Sequence, residues 1–193
     1  MKRLRGVPEL VDQPDTDPGV LRGNLQDYER VNRFLGGTRA VLRALQGLLG
    51  EDQLLQGHPD RAEGPQGHAQ IRRDPFPDPA PPIRLLDIGT GAGDIPRTLI
   101  LWARRRSIPV RVVALDSHPG ILHYARARAR THPELQLVRA KAGHLPFKTA
   151  GFDYVLCAAT LHHFDPAEAT TLLQEMGRLA RRGVIVSDLV RSR

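Results

Sequence analysis

The sequence predicts an α/β fold: a doubly wound parallel sheet over residues 83–193, preceded by an N-terminal helical cap. Three observations lead there. From Ile83 onward, short apolar runs alternate with amphipathic stretches of helical length. The apolar runs are hydrophobic almost throughout rather than at every second residue, as strands are when helices cover both faces of their sheet. The first run, LLDIGTGAGD, breaks into Gly89, Gly91 and Gly93, a strand-to-helix turn at the edge where such sheets hold their ligands.

Taken in order, residues 18–50 spell two short helices. Leu21, Leu25, Tyr28, Val31 and Phe34–Leu35 keep a helical spacing, Gly36–Gly37 interrupt it, and Val41, Leu42, Leu45, Leu48 and Leu49 resume it. Residues 1–50 are read as the cap. Residues 51–82 hold seven of the sixteen prolines and no period, which predicts a linker or a mobile surface loop. IRLLDIG is then a first strand leading to a helix over 95–106, and VRVVALD a second leading to a helix over 119–131. LQLVRA is a third strand and FDYVLCAAT a fourth. A helix over 166–181 follows, and GVIVSDLV is a fifth strand.

At 193 residues the chain suits one domain that buries roughly 70 % of its unfolded surface. A net charge of +7 raises the question of nucleic acid. The charge comes from 25 Arg against 3 Lys, and eight Phe and Tyr with one Trp give little surface for stacking bases. The arginines at 104–106 and at 126, 128 and 130 fall on helices, where solvated faces are the default reading. Cys157 is the lone cysteine, so an internal disulfide and a multi-cysteine zinc site are both excluded. Its apolar surroundings predict a buried, inert thiol. The start MKRLRGVPELVDQPD lacks an apolar stretch behind its basic residues, and no run approaches the length of a membrane span. The expectation is a cytoplasmic protein with no membrane and no specific nucleic-acid partner.

The chemistry is concentrated around the glycine turn. Missing Cβ atoms let backbone approach a ligand, and the following helix offers unpaired N–H groups. Asp94 is a candidate cap for that helix, with Pro96 in its first turn. A dinucleotide fingerprint would place a glycine where Asp94 stands, and a carboxylate there repels a pyrophosphate. With Asp87 just upstream, the pattern suits a ligand with a positive amino-acid end and no phosphate. Asp116 ends the second strand, where a carboxylate accepts from both hydroxyls of a ribose. The plainer reading, a cap for the helix after it, stands beside that one.

In that order and spacing the motifs resemble the class I S-adenosylmethionine-dependent methyltransferases. LLDIGTGAGD is similar to the family's first motif, VVALD to its second, AKAGHLPF to its third and FDYVLCAATLHHF to its fourth. EMGRLARRGVIVSDL resembles the segment after it. The resemblance covers roughly residues 83–190 and implies a Rossmann-like sheet binding S-adenosylmethionine. It implies that Asp87, Gly89, Thr90, Gly91 and Gly93 hold the amino-acid end of the cofactor together with Thr160. Asp116 and Ser117 would hold the ribose, and Lys141 and Ala142 would border the adenine. Two positions depart from the pattern. Lys141 replaces a usual acidic contact, leaving recognition to the backbone of Ala142. The usual glycine pair before the fifth strand is reduced to Gly183 after Arg181–Arg182. The stretch YERVNRFLGG is also similar to a helical entrance segment of the ubiquinone and menaquinone biosynthesis methyltransferases, which folds over cofactor and substrate. A helix pair packed on the sheet edge is the other reading.

The resemblance implies methyl transfer to a small molecule, phenolic or quinone-like. The acceptor of such a transfer often must lose a proton, and His162 and His163, just past the fourth strand, are candidates for the base. Pocket shaping is the alternative role for both. An RNA or protein methyltransferase, and a cofactor-binding domain without turnover, are the competing functions. The family commonly adds two further strands. With five in the order 3-2-1-4-5, the fifth would be an edge strand, covered by the 51–82 segment or the N-terminal helices, or paired in a homodimer.

Overall fold

The computed structural model describes residues 16–55, 81–143 and 145–188. The start of the chain and residues 56–80, the bulk of the expected linker, lie outside them. One sheet runs through the described residues. Its strands are β1 (Ile83–Ile88), β2 (Val110–Asp116), β3 (Leu135–Arg139), β4 (Phe152–Ala158) and β5 (Ala180–Ser187). They lie in the order β3-β2-β1-β4-β5, with every pairing parallel. This is the expected Rossmann-like order.

Among the described residues, two helices precede the sheet. Helix α1 (Pro18–Phe34) starts at Asp17, whose carboxylate accepts from the Gly19 and Val20 amides with Pro18 in the first turn. Gly36, at φ +90°, breaks the chain before α2 (Gly37–Leu55). At 17 and 19 residues these helices are long rather than short, and α2 runs five residues into the segment expected to be linker. Composition misled there because the prolines cluster beyond Leu55.

Chain direction sets the layers. The path from β1 to β2 to β3 moves one way, and its right-handed crossovers put α3 (Asp94–Arg104) and α4 (Pro119–Arg128) on one face. The step from β4 to β5 moves the other way and puts α5 (Pro166–Leu179) on the opposite face. Helix α5 begins with a capping box, Asp165 to the amide of Glu168 and Glu168 back to the amide of Asp165. Helices α3, α4 and α5 each end two or three residues earlier than their sequence period suggests. Strand β5 starts at Ala180, so Arg181 and Arg182 are strand residues. Both reach the Asp153 carboxylate, which is 4 % exposed and also accepts from the Arg84 amide at 2.9 Å. The two arginines that displace a glycine pair are thus counterions of a buried acid.

Two apolar cores sandwich the sheet. On one face Val41 and Leu45 of α2 and Leu99 and Ile100 of α3 meet Leu85, Val112, Tyr154, Leu156 and Ile185. On the other, Leu172, Met176 and Leu179 of α5 meet Leu86, Ile88, Leu115 and Val155. The β3–β4 crossover adds Leu145 and Phe147 to this second face, the latter edge-on to Phe152 at 5.1 Å. Helix α2 lies against β5, where Leu48 and Gly183 leave no slack: a Cβ on Gly183 would sit 3.1 Å from the Leu48 side chain. Helix α2 therefore covers a face of β5, while Val184 and Val186 stay 37 % and 41 % exposed. No helix among the described residues is long and apolar enough to cross a membrane.

Leu45 is 2 % exposed between α2 and the sheet. Leu45→Ala is expected to cost about 2–5 kcal/mol in urea unfolding, and a loss below about 1 kcal/mol would mean that α2 is not part of the core.

Candidate active site

Strand β1 is buried on both faces and ends in a turn that only glycine takes easily. Gly89, Gly91 and Gly93 all have positive φ, at +70°, +52° and +69°. At Gly89 a Cβ would come within 2.3 Å of the Thr160 hydroxyl, whereas at Gly91 it would meet nothing within 4 Å. The first glycine permits close approach of β4's end, and the second opens the turn onto a cleft. Thr160 donates its hydroxyl hydrogen to the Gly89 carbonyl at 3.2 Å or the Ala158 carbonyl at 2.9 Å. It thereby braces the glycine turn from the neighbouring strand. Ala159, before it, takes a left-handed φ of +49°, a strained conformation at the mouth of the site that sequence reasoning did not foresee.

The cleft holds about 1030 Å³ over the carboxyl ends of β1, β2, β4 and β5. Asp87, Gly89, Thr90, Gly91, Asp116, Ser117, Lys141, Ala142, Thr160, His162 and His163 all line it, so the structure brings the expected site residues to one place. Gly93 is set back as the N-terminal residue flanking α3, packed toward Ala125.

Three carboxylates dominate the β1–β2 side. Asp116 is 9 % exposed; one oxygen accepts from the Gly91 amide at 3.1 Å and the other from the His118 amide at 3.0 Å. Both oxygens are thereby fixed, each keeping a lone pair for a further donor. Asp116 does not cap α4. His118 does, its Nδ1 accepting from the Gly120 and Ile121 amides. Burial raises the Asp116 pKa against the lowering effect of those amide bonds. Asp87 is 2 % exposed, and burial pushes its carboxyl up to about 7. The Thr90 hydroxyl offsets part of this, and the charges of Asp94 and Asp116 add to it. Asp94 is the first residue of α3 and makes no side-chain cap. Its carboxylate accepts instead from the Asn32 amide of α1 at 3.2 Å.

That bond belongs to a clamp that the sequence did not disclose. Glu29 of α1 pairs with Arg97 of α3 at 2.6 Å and with Arg128 of α4. Leu21 and Leu25 pack beside Ala92 and Ile121. Helix α1 thus lies across the glycine turn, and Tyr28, Val31, Asn32 and Leu35 form a wall of the cleft. Helix α2 packs on β5, and α1 borders the cleft. Arg104 and Arg128 lie exposed on their helices, as the solvated-face reading expects, and each also pairs with a carboxylate, Arg104 with Glu134 at 2.6 Å and Arg128 with Glu29.

On the β4–β5 side, His162 sits in a short 3₁₀ turn, Leu161–His163, with its ring 4.3 Å from that of His163. Its Nδ1 lies 2.7 Å from one oxygen of Asp188, and its backbone amide donates to the other at 3.1 Å. Asp188 was missed in the sequence, although its position just past β5, beside the end of β4, was the available signal. Cys157 is buried and its thiol is pushed up to about 12 by desolvation, with Asp87 and Asp188 adding. It is inert, as expected.

A family model described as "Methyltransferase domain" matches residues 85–183. The chain belongs to this family. Its sheet, glycine turn and acidic β2 end are those of a class I S-adenosylmethionine-dependent methyltransferase. Comparison with curated proteins finds no match. Among solved structures, a protein from Pyrococcus horikoshii is 24 % identical with a TM-score of 0.49, covering 55 % of this chain and 49 % of its own. A putative methyltransferase from Bacillus halodurans is 27 % identical with a TM-score of 0.47, covering 55 % and 45 %. A "SAM dependent methyltransferase" from Aquifex aeolicus is 22 % identical with a TM-score of 0.44, covering 51 % and 50 %. The chain spans half or less of the length of each.

The residues present fit the cofactor. Its ribose supplies two hydroxyl donors and Asp116 two anchored acceptors; its ammonium and sulfonium suit a cleft bordered by Asp87, Asp94 and Asp116. Asp116→Ala removes a charge-assisted pair of bonds and is expected to weaken S-adenosylhomocysteine binding by well over tenfold, about 2–4 kcal/mol, with an unchanged circular-dichroism spectrum. An unaltered dissociation constant would refute the ribose assignment.

Asp87 gives a pH dependence with a definite sign. The fold keeps a proton to about 7 that the unfolded chain releases near 3.8. Stability from this group is therefore full below about pH 4 and is lost as pH rises through 7. A cationic ligand favours the ionised carboxylate, so its affinity rises with pH over that upper window. Titration calorimetry of S-adenosylhomocysteine is expected to show several-fold tighter binding at about pH 7.5 than at about pH 6, with proton release. A flat profile would mean that Asp87 stays ionised without the ligand.

Proposed function

We propose that the protein transfers the methyl group of S-adenosylmethionine to a small-molecule acceptor of phenolic or quinone-like type, as a cytoplasmic enzyme. The observation that carries this reading is the buried Asp87 carboxyl, whose acidic neighbours Asp94 and Asp116 raise its pKa further, at the floor of a cleft that α1 walls with apolar side chains. Such a group calls for a cationic ligand. The cofactor supplies a methyl on an electron-poor sulfur. The chain's part is to bind it through Asp116 and the glycine turn, to align an acceptor, and to keep water out beneath α1.

The acceptor side supports a small, largely uncharged partner. Tyr28, Val31, Leu35, Phe164 and Leu172 contribute apolar surface, while Glu168 and Asp188 disfavour a polyanion. Arg97, Arg104, Arg128, Arg178 and Arg181 are each engaged in an ion pair with a carboxylate. This arrangement speaks against an RNA substrate.

Calorimetry with S-adenosylmethionine, followed by a mass-shift screen of phenols and quinone-like molecules, tests the proposal. Binding of the cofactor and a methyl-sized mass gain on one acceptor are expected. RNA is expected to bind only weakly and to be released near physiological ionic strength. Retained submicromolar binding to a structured RNA at that salt would favour an RNA methyltransferase instead.

A further inference from the structure

The β4–β5 side of the cleft contains a pair whose geometry exceeds what pocket shaping needs. Asp188 holds His162 at two points, the ring through Nδ1 at 2.7 Å and the backbone amide at 3.1 Å. One carboxylate thereby fixes both the position of the turn and the rotation of the ring. An ionised carboxylate only accepts hydrogen bonds, so the proton of a neutral ring sits on Nδ1 and Nε2 is the basic atom. The side chains are 21 % and 13 % exposed. Nearby titratable groups are His163, stacked on the ring, and Asp87 and Glu168, which border the same cleft.

We propose that the acceptor atom is a hydroxyl oxygen arriving with its proton, that His162 Nε2 takes that proton, and that Asp188 is the positioning residue that orients the ring. The inference rests on the methyltransferase reading above. Acceptors that arrive as anions, such as carboxylates and phosphates, need no base and face Asp87, Glu168 and Asp188. An ammonium group would have to be desolvated against Tyr28, Val31 and Phe164. A phenol-like hydroxyl is neutral on entry, has an apolar ring for that wall, and is a poor nucleophile until its proton leaves. In the step, an oxygen lone pair forms the new bond to the methyl carbon while the sulfur–methyl bond breaks, its electron pair returning to sulfur as a neutral thioether. The hydroxyl proton moves to Nε2. The imidazolium so formed is balanced by Asp188.

Two measurements on the full chain test this. Nitrogen-15 NMR of the His162 ring needs no acceptor: the wild type is expected to show the Nδ1-protonated tautomer, and Asp188→Asn to lose that preference. An unchanged tautomer would overturn the pairing. In turnover with a panel of simple phenols and arylamines, methylation of phenol oxygen is expected. Asp188→Asn should lower kcat at least about tenfold, with KM for the cofactor held within about twofold. The defect should shrink as pH approaches the phenol's own pKa, and His162→Gln should behave alike. Methylation of nitrogen or carbon, failure to methylate any phenol by a protein that binds S-adenosylhomocysteine, or an unaltered pH profile in Asp188→Asn would overturn the proposal. Failure of the wild type to bind S-adenosylhomocysteine would instead defeat the methyltransferase reading itself.

Discussion

The bond from the Gly91 amide to the Asp116 carboxylate is the constraint on which the site depends. It ties the turn after β1 to the end of β2, beside the gap between β1 and β4 where chain direction reverses across the sheet. Left-handed backbone at three glycines lets the turn fold back far enough to make it. In making it, the turn fixes one oxygen of Asp116 and faces its own open side toward the cleft. Thr160 braces the same turn from β4. The two contacts hold a ligand-facing loop between neighbours that are rigid because the strands feeding them are buried on both faces.

Helix α1 is the second determinant. A sheet edge with its glycine turn is open to water, and methyl transfer gains from a closed site. Glu29 anchors the helix to α3 and α4 through Arg97 and Arg128, and Asn32 ties it to Asp94. The clamp uses the beginning of α3, where a negative group is favoured by the helix dipole, so Asp94 serves both the helix and the cover. The wall that results is apolar at Val31 and Leu35, while the floor beneath it is acidic. A cationic cofactor is what that contrast suits.

The sheet was legible in the sequence because each strand is an unbroken apolar run and each turn carries its own signal, such as the glycines after β1 and Pro119 or Pro166 opening a helix. Helix ends were less legible: the period of EMGRLARR continues past Leu179, and only the pairing of Arg181 and Arg182 with buried Asp153 explains why the chain has already become strand. On the β1–β2 side of the site, Asp87, Asp116 and the glycines stand in one local pattern and were readable. Glu29, Asn32 and Asp188 were not, because each acts on a partner 26 to 99 residues away, and no local spacing encodes that. His118 displaced Asp116 as the cap of α4 for a related reason: the acid is committed to Gly91, a contact visible only in three dimensions.

The most direct test of the account is a crystal structure of the protein grown with S-adenosylhomocysteine. The account predicts both ribose hydroxyls within hydrogen-bond distance of the two Asp116 oxygens, the amino-acid end between Asp87 and the glycine turn, and the sulfur facing His162 beneath α1. A ligand bound outside the cleft, or lying in it with the adenine at Asp87, would contradict it.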